Sequence, residues 1–170
     1  MKTAIVHCNV YTGQNAWEDG LVLIEDGAIA YVGAAAPFTA DEVIDAKGGI
    51  CLPGLVNAHT HIAMSLMRGV GAGLPLMDWL QVIFPIEDRL TDERVYWGSM
   101  LSIMEMIRRG TTAFADMYFF MPAVARAVLE TGMRANLVRS LTSLEKLPEA
   151  EAFFREFDGA GEGRVRVYYS

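Results

Sequence analysis

From residue 50 onward the chain alternates β-type and helix-type segments, and that alternation constrains its fold more than any other feature. Ile50–Asn57 (ICLPGLVN) is an apolar run that reads as a buried strand following a turn. Thr91 is placed to cap a helix whose first turn carries Asp92 and Glu93, favourable charges against the helix dipole. Val95, Tyr96, Met100, Ile103, Met104 and Ile107 then recur at helical spacing, and Gly110 supplies a stop. Thr111–Met117 is the next strand. Pro122 opens a helix that Gly132 closes, and Arg134–Arg139 follows as a strand. Pro148 begins a third such helix ending near Gly159, and Arg164–Tyr169 is the last strand. Such alternation predicts a parallel α/β sheet. A (β/α)8 barrel takes roughly 250 residues, about 30 per unit, so the stretch 51–170 has room for about four units.

The first fifty residues follow a different pattern. Thr3–Val10, Gly20–Glu25, Ala28–Gly33 and Glu42–Ala46 are short strand candidates, and Asp26-Gly27 between the second and third is a hairpin signal. About four strands hardly close a stable sandwich alone, so this unit is expected to need a partner. The expected domains are thus an all-β unit over 1–50 and an α/β unit over 51–170.

Composition narrows the function classes. With 52% hydrophobic residues the chain has ample core material, which argues against disorder. Its 21 Asp and Glu against 14 Lys and Arg give no footprint for nucleic acid or an anionic membrane. Two cysteines, Cys8 and Cys51, make no disulfide framework. The start lacks the apolar region of a signal peptide, and no run of about 18 apolar residues suits a membrane span. A cytoplasmic setting is expected.

The sharpest chemical feature is His59-Thr60-His61 at the end of the first α/β strand. Residues i and i+2 of a strand share a face, roughly 6.6 Å apart along the chain. Two imidazoles so placed can converge on one divalent ion at about 2.0–2.1 Å each. A bare His-x-His is more often two loop histidines. Its place at the end of a strand, where α/β barrels carry their active sites, favours a metal. The third histidine, His7, lies in the all-β unit and reads as a solvated or capping residue.

The segments LPGLVNAHTH, MSLMRGV, DWL and PIEDRLT, with the later run from Gly110 to Tyr118, resemble the amidohydrolase superfamily. The likeness is greatest to its 5-methylthioadenosine/S-adenosylhomocysteine deaminase branch. That resemblance implies a composite β-sandwich beside a (β/α)8 barrel, here the N-terminal part of the sandwich and the first half of the barrel. It implies one divalent metal, zinc or iron, with His59 and His61 as two of its ligands. The remaining ligands come from later strands of the family, so this chain is expected to hold half a metal site. It implies hydrolytic deamination of an adenosine-type nucleoside, in which water activated by the metal replaces the amino group and ammonia leaves.

On the same likeness, Glu87 matches the glutamate that binds the nucleoside, a sensible role for a carboxylate that can accept from a ribose diol. Arg139, at the end of the third barrel strand, matches a substrate-contacting arginine. Without the likeness, Glu87 reads as a solvated helix-end charge and Arg139 as an ion-pair residue. No catalytic acid or base is assigned to this chain. Trp79 reads as core or pocket wall, Asp116 as a structural rim carboxylate and Gly69–Gly73 as an active-site loop. The loop Ser140–Pro148 holds one cation, Lys146, where the family often has a second arginine. The expected partner is a small nucleoside, with oligomerisation left open. Other branches, such as guanine deaminase or triazine chlorohydrolase, remain alternatives, as does a non-catalytic remnant.

Overall fold

The computed structural model describes residues 1–141 and 143–169, so Thr142 and Ser170, the expected limit of the α/β domain, lie outside the described residues. The chain divides into two compact units, Met1–Pro53 and Gly54–Ser170. It is an α/β protein with one mixed and one parallel sheet.

The first unit holds strands β1 (Lys2–Tyr11), β2 (Ala16–Glu25), β3 (Ala28–Ala34), β4 (Glu42–Asp45) and β5 (Ile50–Cys51). The sheet order is β3-β2-β1-β4, with β5 also on β1. The β1–β2 and β2–β3 pairs are antiparallel, whereas β4 and β5 run parallel to β1. The hairpin turns at Asp26 and Gly27, with φ of 49° and 81°, the doubly left-handed conformation that an Asp-Gly pair tolerates. Its core is small: Cys8, Val10 and Val22, with Ile5, Trp17, Ile24 and Val32 against them. Both cysteines are free. His7 is exposed and its Nδ1 pairs with Asp45 Oδ1 at 3.0 Å.

The second unit begins with β6 (Leu55–Thr60), followed by a 3-10 segment (Ile62–Met67) and helices α1 (Leu76–Glu87) and α2 (Asp92–Arg108). Then come β7 (Thr111–Met117), α3 (Met121–Thr131), β8 (Arg134–Arg139), α4 (Leu147–Phe157) and β9 (Val165–Tyr169). The strands lie in the order β6-β7-β8-β9, all parallel, so each successive strand joins the same growing edge. The core runs from Ile62 and Ile103 through Phe114, Met121, Val124 and Leu137 to Phe153 and Val165. Thr91 caps α2 as its sequence predicts, its side chain accepting from the Arg94 N–H. Among the described residues no helix is long and apolar enough to cross a membrane.

One sequence expectation needs correction here. Ile50–Asn57 is not one buried strand. Ile50 and Cys51 belong to the first sheet as β5, and Leu55 starts the second, with Pro53 and Gly54 between them. Proline has no N–H to give a ladder, which ends the pairing there. In β6, Leu55 and Val56 are 56% and 67% exposed, because the strand has a neighbour on one side only among the described residues. Helix α1 ends at Glu87, the helix-end position read for that residue from the sequence. Leu76, Met77, Val82, Phe84 and Ile86 are all exposed, and only Ile83 is buried, so its apolar residues form no single stripe. Pro85 sits in its last turn.

Candidate active site

The candidate residues gather at one end of the parallel strands. Residues after His61 are held by α2: Ser65 Oγ donates to the Gly98 carbonyl at 2.7 Å, and Ser102 Oγ to the Ile62 carbonyl at 2.7 Å. Gly98 permits this approach, since a Cβ there would stand 2.5 Å from the Ala63 carbonyl oxygen. Arg68, at the end of the 3-10 segment, forms a bidentate ion pair with Glu105 of α2.

His59 lies in a distorted part of β6, and His61 follows directly after the strand as the N-cap of the 3-10 segment. Asn57 faces Phe114 and Thr60 faces Asp116, so β6 spends three steps where β7 spends two. That extra residue is a bulge, a device that re-aims side chains. The two rings end up with centroids 5.2 Å apart at 74°. The Nδ1–H of His61 donates to the Met117 carbonyl, with Nδ1 and O 2.5 Å apart, which leaves Nε2 with its lone pair. A ring fixed through one nitrogen is the usual arrangement of an imidazole metal ligand.

Three of the four predicted site residues line one cavity of about 380 Å³: His61, Glu87 and Arg139. His59 does not line it. Trp79, Ile83 and Phe84 give apolar walls, and Lys146 is also present. Trp79 is thus partly core and partly wall, with its Nε1–H donating to the Val70 carbonyl at 3.1 Å. Glu87 is half-buried at the end of α1, and the Tyr118 hydroxyl donates to its Oε1 at 2.7 Å. Burial, reinforced by that carboxylate, pushes the Tyr118 phenol far above its ordinary range. Arg139 ends β8 and pairs with Glu149 at 2.8 Å, so it lines the cavity while also forming an ion pair. Tyr118 is the residue that sequence reasoning missed; its position just past the end of β7 was the available signal.

Asp116, expected at the rim, is instead 2% exposed. Its Oδ1 lies 2.8 Å from the Thr60 hydroxyl and accepts the Ile62 N–H at 2.8 Å. Burial raises its pKa, opposed by those two hydrogen bonds and by the nearby histidines. Among the described residues there is no group of three or more His, Cys, Asp or Glu that could hold a metal ion. The nitrogen donors lying close to one another here are the two imidazoles of His59 and His61.

At this end of the parallel sheet a histidine, a carboxylate and a guanidinium thus face one cavity. Residues 50–168 match the amidohydrolase family, and the chain belongs to that family. It is 49% identical over 160 residues to a 5-methylthioadenosine/S-adenosylhomocysteine deaminase of Desulforamulus reducens, covering 88% of this chain and 37% of that protein. It is 50% identical over 158 residues to a 5'-deoxyadenosine deaminase of Methanosarcina mazei, covering 88% and 37%. The chain thus spans little more than a third of the length of these relatives. Among solved structures, an adenosine deaminase from Xanthomonas campestris with bound zinc superposes with a TM-score of 0.90 at 29% identity, over 98% of this chain and 42% of that one. A guanine deaminase from C. acetobutylicum shares the fold, with a TM-score of 0.85 at 19% identity, covering 100% and 46%.

Proposed function

We propose that this chain is the N-terminal part of a metal-dependent deaminase acting on adenosine nucleosides of the 5-methylthioadenosine and S-adenosylhomocysteine type. In this reading the first unit is part of a β-sandwich, and the second is the first half of a (β/α)8 barrel. The sequential, all-parallel order of β6 to β9 supports the barrel reading, as does the likeness to the zinc-containing adenosine deaminase. The observation that carries the functional reading is the meeting of His61, Glu87 and Arg139 around one cavity.

His59 and His61 are the residues that would hold the metal, zinc first and iron as the alternative. Bound there, a divalent ion supplies Lewis-acid activation of water for displacement of an amino group. The remaining tasks fall to side chains. With Oε1 taken by Tyr118, Glu87 presents Oε2 to a ribose hydroxyl. Trp79, Ile83 and Phe84 offer apolar contact to a base or thioether and exclude water around it. Arg139, already balanced by Glu149, serves as a donor at the cavity wall. Two imidazole ligands hold a metal weakly, so the purified chain is expected to bind zinc weakly and to show no deaminase turnover.

The test is a calorimetric titration of the chain with zinc and then with 5-methylthioadenosine. Zinc binding is expected to vanish in His59→Ala and His61→Ala. Nucleoside binding is expected to fall about tenfold in Glu87→Gln, which removes the charge and one of the two acceptor oxygens. Zinc binding that survives both histidine substitutions would end the metal reading, and nucleoside binding indifferent to Glu87→Gln would end the substrate reading.

A further inference from the structure

We propose that Asp116 is a positioning residue for the histidine pair: its buried carboxylate fixes the backbone on both sides of His61, so that the ring meets the Met117 carbonyl in one orientation. Its purpose rests on the reading of His59 and His61 as metal ligands, but its geometry does not. The bulge removes β6 from regular register with β7 between Asn57 and Thr60, where the histidine segment begins. A ladder out of register cannot fix the residues it skips. Asp116 supplies a side-chain tie at that point, accepting the Ile62 N–H and lying against the Thr60 hydroxyl, one residue to either side of His61.

The chemistry of the position favours this role over core filling. A carboxylate 2% exposed is costly, and burial alone would favour an apolar residue of similar size. The neighbouring bonds are also economical. Thr60 Oγ1 stands 2.8 Å from Asp116 Oδ1 and 2.9 Å from the Ala115 carbonyl, with a single proton between them, so the Ile62 N–H is the undivided tie. Asp116 Oδ2 has no hydrogen-bond partner among the described residues. One residue further along, Met117 holds the ring itself. Two consecutive residues of β7 therefore hold three consecutive residues of the neighbouring chain segment.

The test uses the metal-free chain and long-range proton–nitrogen NMR of its three histidine rings at mildly alkaline pH, with circular dichroism to confirm folding. Wild-type His61 is expected as a single Nδ1–H tautomer. Asp116→Asn, which keeps an acceptor oxygen, is expected to preserve it. Asp116→Ala is expected to release the ring into a tautomer mixture, while His7 in the first unit stays unchanged as the internal control. A His61 locked as Nδ1–H in folded Asp116→Ala would overturn the proposal, as would loss of the lock in folded Asp116→Asn. If Asp116→Ala does not fold, Asp116→Leu, an apolar side chain of similar size that removes both ties, decides: an increased Nε2–H share supports the proposal, and an unchanged spectrum overturns it. Zinc titration of the same samples separates the two readings. A zinc affinity about 10- to 100-fold weaker in Asp116→Ala follows if the positioned ring is a ligand. Tautomer changes without zinc binding in any sample would leave Asp116 as the positioning residue and remove the metal reading.

Discussion

The bond from Tyr118 to Glu87 is the most exposed to a simple substitution. Tyr118 is buried, and its hydroxyl reaches a half-buried carboxylate across 31 positions of sequence. Tyr118→Phe keeps the ring and removes the donor, so stability should fall by about 1.5–3 kcal/mol, the worth of a hydrogen bond to a charged group. Urea denaturation checks this, and an unchanged midpoint would show the bond to be idle. The histidine pair was legible in the sequence because two imidazoles at i and i+2 after an apolar run is a local pattern. Tyr118 was not, because its role is defined by a partner on another element. The same holds for Asp116, whose burial depends on how β6 and β7 register rather than on its neighbours in sequence.

Packing of α2 against the 3-10 segment sets the position of everything that follows His61. Gly98→Ala gains about 1 kcal/mol of helix propensity, but the new Cβ meets the backbone at Ala63, and overpacking of that kind costs about 1–3 kcal/mol. The clash should win, with a net loss of up to about 2 kcal/mol by urea denaturation; a more stable variant would refute the tight contact. The Arg68–Glu105 pair adds a pH-dependent tie between the same two elements. Arg68 holds the Glu105 carboxyl below its ordinary value, so the tie is complete above that ordinary value and is lost as pH falls through the depressed one. Hydrogen exchange across Ile62–Met67 should quicken in that acidic window, and Glu105→Gln should abolish the difference. The helices with terminal signals, Thr91 before α2 and Pro122 and Gly132 at the ends of α3, were readable from the sequence, although Met104 and Ile107 of the periodic set in α2 are more than half exposed. Of α1 only the end at Glu87 was read, because its exposed residues are as apolar as its buried ones.

At the level of the whole molecule, β6 and β9 each have one strand neighbour among the described residues, and part of their apolar surface is open. Leu55, Val56, Tyr168 and Tyr169 are between 45% and 67% exposed. Unpaired parallel edges flanked by apolar residues drive association. The isolated chain should therefore self-associate, and a monodisperse monomer by light scattering would contradict this. The strand and helix alternation was legible from spacing alone, whereas the splitting of Ile50–Asn57 between two sheets depends on which strands find partners. The serial strand order also bears on biogenesis. Every tie that sets His61 comes from residues no later than Met117, on the first two strands of the parallel sheet and on α2. A ribosome that has released residues through β7 has released all of them, so the His61 geometry can be in place in the nascent chain before α3 and β8 exist.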